Sequence, residues 1–118
     1  AVGMPATATR SPEPVRCLSA RQLQALLGDP SLVLVDVREP YEFEAGFLSG
    51  ALNIPLAQLA DRLLELPPLR TPVFVCRSGT RSLAACALAS QAGIQSPAHL
   101  EGGLLAWAQE VDDSLFVV

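Results

Sequence analysis

Residues 73–82 read Val-Phe-Val-Cys-Arg-Ser-Gly-Thr-Arg-Ser and place a cysteine between an apolar strand and a helix. The three apolar residues before Cys76 are typical of a buried strand, and the spacing of residues 83–92 predicts a helix. The residues from Cys76 to Arg81 are therefore predicted to form the turn. Helix N-termini have unpaired N–H groups and partial positive charge, and Arg77 and Arg81 add two cations. This segment should favour the thiolate form of Cys76.

The composition is that of one domain of ordinary size. The chain has 118 residues, of which 50% are hydrophobic, and this is enough to bury a core. Its formal net charge of -4 argues against a protein that tracks nucleic-acid phosphates, since such a protein normally carries a basic face. No apolar run approaches the roughly 20 residues that span a bilayer, and the N-terminus lacks a signal-peptide pattern. We therefore expect a cytoplasmic protein with no nucleic-acid and no membrane partner.

Cysteine usage predicts a free thiol in a reducing compartment. The chain has three cysteines, at positions 17, 76 and 86, and one histidine, His99. This set forms neither a paired disulfide framework nor a tetrahedral zinc site, so we expect no metal. Cys17 near the N-terminus and Cys86 on an alanine-rich helix are predicted to be inert. His99, close to the end of a strand, is predicted to be a packing or surface residue.

The pattern along the chain predicts a tail followed by one α/β domain. Residues 1–14 contain three prolines and few residues to bury, which is typical of a flexible tail or linker, and residues 15–118 form the domain. The predicted strands cover residues 15–18, 32–37, 51–54, 73–75 and 98–100, and the predicted helices cover residues 20–27, 40–45, 56–66, 83–92 and 104–110. This alternation predicts a central parallel sheet of about five strands with helices on both faces.

The candidate active site is the loop that follows the fourth predicted strand. Ligands of open α/β sheets bind outside the carboxyl ends of the strands, where Cys76 lies. Backbone amides of a curved loop can point inward and hold an anion, and Gly79 permits the backbone angles that this requires. The candidate residues are the nucleophile Cys76 and the loop residues Arg77, Ser78, Gly79, Thr80, Arg81 and Ser82. The alternative is a buried structural cysteine, which two flanking arginines disfavour because their charges would lack partners.

Four motifs in this order resemble the rhodanese family of sulfurtransferases, and the resemblance extends from about Leu18 to Trp107. The motifs are Asp-Val-Arg-Glu at 36–39, Gly-Ala-Leu-Asn-Ile-Pro at 50–55, the cysteine loop at 76–82, and Gly-Gly at 102–103 followed by Trp107. The resemblance implies the rhodanese fold and transfer of a sulfane sulfur through a persulfide on Cys76, without a metal or organic cofactor. It also implies that Asp36 supports the active loop as scaffold, while Arg38 is either scaffold or a cation that faces the substrate.

The resemblance implies a small sulfur donor such as thiosulfate, or a protein donor or acceptor such as a cysteine desulfurase, thioredoxin or a ubiquitin-like sulfur carrier. Residues 102–112 are similar to the C-terminal rhodanese domain of adenylyltransferase-sulfurtransferase fusions, which pass sulfur to ubiquitin-like carriers. At residues 46–48 the chain reads Gly-Phe-Leu, where the family usually has Gly-His before an apolar residue. Phe47 is therefore predicted to pack or to contribute to a surface patch.

The sequence leaves two other functions open. A docking module with little turnover would use exposed apolar residues, for which Phe47, Leu48 and Phe116 are candidates. A cysteine phosphatase is the second alternative, but phosphatases of related fold place the phosphate-binding arginine six residues after the cysteine. Here Arg81 lies five residues after Cys76, so the ring of amides is predicted to be smaller and to suit a sulfur atom better than a phosphate.

Overall fold

Five strands and five helices alternate along residues 15–118, the part of the chain that the computed structural model describes. The strands are β1 (Arg16–Leu18), β2 (Leu32–Asp36), β3 (Leu52–Asn53), β4 (Thr71–Val75) and β5 (Ala98–Leu100). The helices are α1 (Ala20–Leu26), α2 (Pro40–Ala45), α3 (Leu56–Arg62), α4 (Thr80–Gln91) and α5 (Gly103–Glu110), and a 3-10 turn follows α3 at Leu63–Glu65. The predicted tail or linker, residues 1–14, lies outside the described residues.

All five strands are parallel and lie in the order β1-β5-β4-β2-β3. The predicted parallel sheet of about five strands is confirmed, and β4 is its middle strand. In register, Phe74 of β4 lies beside His99 of β5, and His99 lies beside Cys17 of β1. Residues in register across parallel strands point to the same face, so these three side chains share one face of the sheet.

Helices cover both faces of the sheet. Successive strand residues point to opposite faces, so the continuous apolar strands present apolar side chains on both. One face packs against α3 and α4 in a buried cluster that includes Val35, Leu59, Phe74, Cys76 and Cys86. The opposite face packs against α1 and α5 in a cluster that includes Leu23, Val73, Val75, Leu104 and Trp107. The predicted helices on both faces are confirmed. Phe74 and Cys76, two positions apart, lie on the same face, so Cys76 points toward α4.

Two boundaries beside the loop differ from the sequence prediction. β4 begins at Thr71, two residues earlier than predicted. Pro72 lacks the N–H that a strand residue normally donates, so a proline at this position favours a later start. Helix α4 begins at Thr80, three residues earlier than predicted, directly after Gly79. Its first turn is polar and was expected to be loop. The connection between β4 and α4 therefore consists of residues 76–79 alone.

None of the helices in the described part of the chain is long and apolar enough to cross a membrane. Even α4, with 12 residues, is about 18 Å long at the usual rise per residue.

Candidate active site

Cys76 lies at the carboxyl end of the middle strand, directly after β4, and is 1% exposed. Its sulfur accepts hydrogen bonds from two backbone N–H groups, that of Gly79 at 3.1 Å and that of Ser82 at 3.2 Å. The Ser82 N–H belongs to the first turn of α4, where N–H groups have no partner within the helix. Two N–H donors and the positive end of a helix stabilise a negatively charged sulfur.

Gly79 turns the chain back toward the sulfur. Its φ of 106° lies in the left-handed region, where a side chain would be strained. A Cβ at this position would also lie only 3.2 Å from the backbone nitrogen of Gly102. The loop therefore needs a glycine here, both for its backbone angle and for the close approach of the chain at Gly102.

The first turn of α5 supports the loop from behind. The N–H of Leu104 donates to the carbonyl of Cys76 at 2.8 Å, and the N–H of Leu105 donates to the carbonyl of Arg77 at 3.0 Å. A Cβ at Gly103 would collide with that Arg77 carbonyl. The Gly-Gly pair at 102–103 therefore lets α5 approach the loop closely enough to bind two of its carbonyl groups.

Arg81 forms a bidentate ion pair with Glu42 of α2, with N···O distances of 2.7 and 3.0 Å. The Glu42 side chain is 8% exposed and the Arg81 side chain 33%. The hydrogen bonds from Arg81 lower the pKa of Glu42 from its ordinary value of 4.5 to about 2, although burial opposes this shift. The pair ties α2 to α4 and offsets part of the positive charge beside the loop. Sequence reasoning missed Glu42, because a glutamate on a short helix is more often solvated.

The other predicted loop side chains lie at the rim. Arg77, Ser78 and Thr80 are exposed, whereas Gly79 and Ser82 are buried beside Cys76. The Arg77 Nε donates to the backbone carbonyl of Val118 at 2.7 Å. Of the predicted loop residues, Gly79 and Ser82 therefore contact the sulfur directly.

Asp36 and Arg38 form a fully buried ion pair at the end of β2. The Arg38 Nε and Nη2 donate to the Asp36 carboxylate at distances of 2.8 to 3.1 Å, and both side chains are 0% exposed. Arg38 Nη2 also donates to the carbonyl of Gly46, just beyond α2, at 2.7 Å. The idea that Arg38 faces the substrate is therefore wrong, since its guanidinium is enclosed by the chain. The pair instead holds α2 and the end of β2 together.

His99 lies behind the loop rather than at the surface. It is 5% exposed, and its Nδ1 lies 2.9 Å from Ser82 Oγ, which in turn lies 3.5 Å from Cys76 Sγ. Burial lowers the pKa of His99 below its ordinary 6.5, partly opposed by the charge of Glu101. The prediction of a packing residue missed the contact with Ser82, because that contact depends on the register between β4 and β5.

The two remaining cysteines differ in environment. Cys86 is 0% exposed, and burial raises its pKa to about 12, so its thiol stays protonated. Cys17 is exposed, and its Sγ lies 3.5 Å from His99 Nε2. Residues 15–118 contain no group of three or more His, Cys, Asp or Glu side chains that could hold a metal ion.

The three residues proposed as a docking patch differ in how far they are exposed. Leu48 is 7% exposed and belongs to the core, so the expectation that it contributes to an exposed patch is wrong. Phe47 and Phe116 are 47% and 64% exposed, as that expectation requires.

The fold and the loop together define a class: a parallel α/β domain with a buried cysteine whose sulfur accepts hydrogen bonds from backbone N–H groups at the end of the middle strand. Comparison with known families matches residues 19–110 to the rhodanese-like domain. The chain therefore belongs to the rhodanese-like family, and the resemblance noted in its motifs is confirmed.

Similar proteins include single domains and parts of larger proteins. A sulfurtransferase of Allochromatium vinosum is 40% identical over 86 residues, which cover 73% of this chain and 80% of that protein. The probable adenylyltransferase/sulfurtransferase MoeZ of Mycobacterium tuberculosis is 38% identical over 86 residues, which cover 71% of this chain and 22% of that protein. The crystal structure of a rhodanese-related protein from Thermoplasma volcanium has a TM-score of 0.74 and 30% identity, and the match covers 81% of this chain and 93% of that one.

Proposed function

We propose that this chain is a sulfurtransferase that carries a sulfane sulfur as a persulfide on Cys76. The observation that carries the proposal is the pair of N–H groups, from Gly79 and Ser82, that converge on the Cys76 sulfur. Membership of the rhodanese-like family supports the same chemistry, as does the similarity to a protein named sulfurtransferase.

In the first half-reaction, the Cys76 thiolate attacks the outer sulfur of a donor such as thiosulfate. A bond forms between these two sulfur atoms, the sulfur–sulfur bond of the donor breaks, and sulfite leaves with the electron pair. The loop amides stabilise the negative charge of the persulfide. Arg77, exposed at the rim, attracts the anionic donor, whereas Arg81 shares its charge with Glu42.

In the second half-reaction, a thiophilic acceptor attacks the outer sulfur of the persulfide. The bond to Cys76 Sγ breaks, and its electron pair restores the thiolate. The two steps balance without an external oxidant or reductant. Candidate protein partners are a cysteine desulfurase as donor and thioredoxin or a ubiquitin-like sulfur carrier as acceptor. Because the cycle needs a free thiol, we place it in the reducing cytoplasm.

A docking module is the second candidate, favoured by aromatic side chains on and after α2. Tyr41 and Phe47 are 68% and 47% exposed, and the rings of Phe43 and Phe47 stack with centroids 4.4 Å apart. Exposed aromatic groups are enriched at protein interfaces. Binding of a candidate carrier protein that survives Cys76→Ser, together with negligible transfer to any small acceptor, would favour docking over catalysis.

Mass spectrometry of the intact protein tests the sulfurtransferase proposal. Treatment with thiosulfate should add one sulfur atom to the wild-type protein, and cyanide should remove it. Cys76→Ala should gain none, although it retains the exposed thiol of Cys17. Cys86→Ala removes a thiol that is 0% exposed and should gain one sulfur, as the wild type does. Equal gain in the wild type and in Cys76→Ala, or no cyanide-labile sulfur in the wild type, would contradict the proposal.

A further inference from the structure

A row of hydrogen-bonded side chains runs from the buried nucleophile to the exposed edge of the sheet. Cys76 Sγ lies 3.5 Å from Ser82 Oγ, Ser82 Oγ lies 2.9 Å from His99 Nδ1, and His99 Nε2 lies 3.5 Å from Cys17 Sγ. We propose that His99 is a positioning residue: it holds the Ser82 hydroxyl so that this group donates a hydrogen bond to the anionic Cys76 sulfur. The inference rests on the proposed role of Cys76 as nucleophile.

The protonation of the row follows from the single hydrogen of the Ser82 hydroxyl. That hydroxyl donates to the carbonyl of Gly79 at 3.1 Å. Since its hydrogen is used there, the contact between Ser82 Oγ and His99 requires Nδ1–H as the donor. Nε2 is then unprotonated and accepts the thiol hydrogen of Cys17. This tautomer is an assignment from the hydrogen-bond network, and it lets His99 hold the serine oxygen without consuming its hydrogen.

Ionisation of Cys76 gives the Ser82 hydroxyl a better acceptor. A charged sulfur attracts the hydroxyl hydrogen more strongly than a neutral carbonyl does, and rotation about the Cβ–Oγ bond of Ser82 turns that hydrogen from Gly79 to the sulfur. The His99 Nδ1–H keeps the oxygen in place and polarises its O–H bond, which strengthens the donor. The sulfur then has three donors, the N–H groups of Gly79 and Ser82 and the Ser82 hydroxyl. No proton leaves His99.

The neutral form of His99 is the one that the surroundings favour. Burial lowers the pKa of His99, because the charged ring would lose its hydration, and the nearby Glu101 opposes this only in part. A protonated ring would donate from both nitrogens and could no longer accept from the Cys17 thiol.

Alkylation of Cys76 by iodoacetamide, resolved from the other thiols by peptide mass spectrometry, tests the proposal without sulfur transfer. His99→Asn places an amide nitrogen near the position of Nδ1 and keeps a donor for Ser82. His99→Gln extends its amide toward the position of Nε2, and His99→Leu removes both groups. We expect His99→Leu and His99→Gln to slow alkylation near neutral pH roughly three- to tenfold, the usual size for one lost hydrogen bond, and His99→Asn to stay close to the wild type.

Ser82→Ala supplies an independent arm if a His99 variant folds poorly. It should slow alkylation to a similar extent, and adding His99→Leu to Ser82→Ala should slow it no further, because the two residues act on the sulfur through one bond. In urea, all variants should react at the same rate. Equal native rates for His99→Asn and His99→Leu, or additive effects in the double variant, would overturn the proposal. If thiosulfate fails to load Cys76 while these rates are as expected, the sulfurtransferase proposal fails and the positioning by His99 stands.

Discussion

Glu42 reaches the cysteine loop, residues 76–82, from a different helix, 39 positions before its partner Arg81. Both carboxylate oxygens bind the guanidinium, so the orientation of Arg81 is fixed from α2. The same contact lowers the net positive charge that an incoming anion meets. Of the two arginines that flank the loop, the exposed Arg77 is therefore the better candidate to attract a donor.

Replacing Glu42 by glutamine should destabilise the protein in a pH-dependent way. Because the pKa of Glu42 is about 2 in the folded protein and near 4.5 ordinarily, its contribution is fully present above about pH 4.5 and is lost as the pH falls toward 2. We expect Glu42→Gln to lower the free energy of unfolding by about 1 to 3 kcal/mol at neutral pH, since Arg81 remains partly solvated. Urea unfolding at neutral and strongly acidic pH measures the difference between the two proteins.

Glu44 provides the control for this change, because it lies on the same helix and is exposed. Glu44→Gln should alter the free energy of unfolding by less than about 0.5 kcal/mol at either pH. A Glu42→Gln effect that stays constant into strong acid would mean that packing, and not charge, accounts for the contribution of Glu42.

The residues that contact the Cys76 sulfur and were identified from the sequence lie within a single short stretch. Cys76, Gly79 and Ser82 are found together because strand, turn and helix follow one another there. Glu42 and His99 act on that stretch from elsewhere in the chain, and their contacts require a known helix position and strand register. No spacing in the sequence encodes such contacts directly.

At the scale of elements, two helix N-termini meet at the loop and donate hydrogen bonds to different acceptors. The first turn of α4 donates an N–H to the sulfur, while the first turn of α5 donates to the carbonyls of Cys76 and Arg77. Because α5 takes these carbonyl oxygens, the peptide groups of the loop keep their oxygens away from the sulfur. An anionic sulfur therefore meets N–H groups and not the negative ends of the same peptides.

Gly103→Ala should push α5 away from the loop. Gly103 has a φ of 66°, and its added Cβ would collide with the Arg77 carbonyl, whereas Gly93 has a φ of 97° and open space around its Cβ. We expect Gly93→Ala to cost about 1 to 2 kcal/mol from backbone strain alone, and Gly103→Ala to cost about 1 to 3 kcal/mol more because of the collision. Urea unfolding of both variants measures the difference.

The reactivity of Cys76 separates the two glycine variants further. Gly103→Ala should slow the alkylation of Cys76, since displacement of α5 releases the loop carbonyls, while Gly93→Ala should leave the rate unchanged. Similar unfolding costs and similar alkylation rates in the two variants would show that α5 does not support the loop.

At the scale of the whole molecule, the hydrophobic pattern predicted which elements form but not how they are ordered. Alternating strands and helices predicted the parallel sheet and its two helical layers, and the order that places β4 in the middle came from the structure. The same limit explains the helix boundary at Thr80. Its polar first turn carries no apolar period, because its backbone is directed at the sulfur and its only buried side chain there is Ser82.

Cys86 can report on the opening of the layer that holds the loop. It lies on the buried face of α4 and is 0% exposed, and burial raises its pKa to about 12, so it should react with iodoacetamide when α4 separates from the sheet. We expect Cys86 to be labelled far more slowly than the exposed Cys17 in the native protein and at the same rate as Cys17 in urea. Equal native rates would show that α4 is not closed over the sheet.

The enclosed thiol also offers a way to find ligands of the loop without any turnover. A molecule that binds the folded loop but not the opened state reduces the population in which α4 is detached, by a factor that grows with its concentration relative to its Kd. The labelling of Cys86 slows by that same factor when opening and closing are fast. Candidate ligands, thiosulfate among them, could thus be ranked by the protection that they give to Cys86, which donates no hydrogen bond to the Cys76 sulfur.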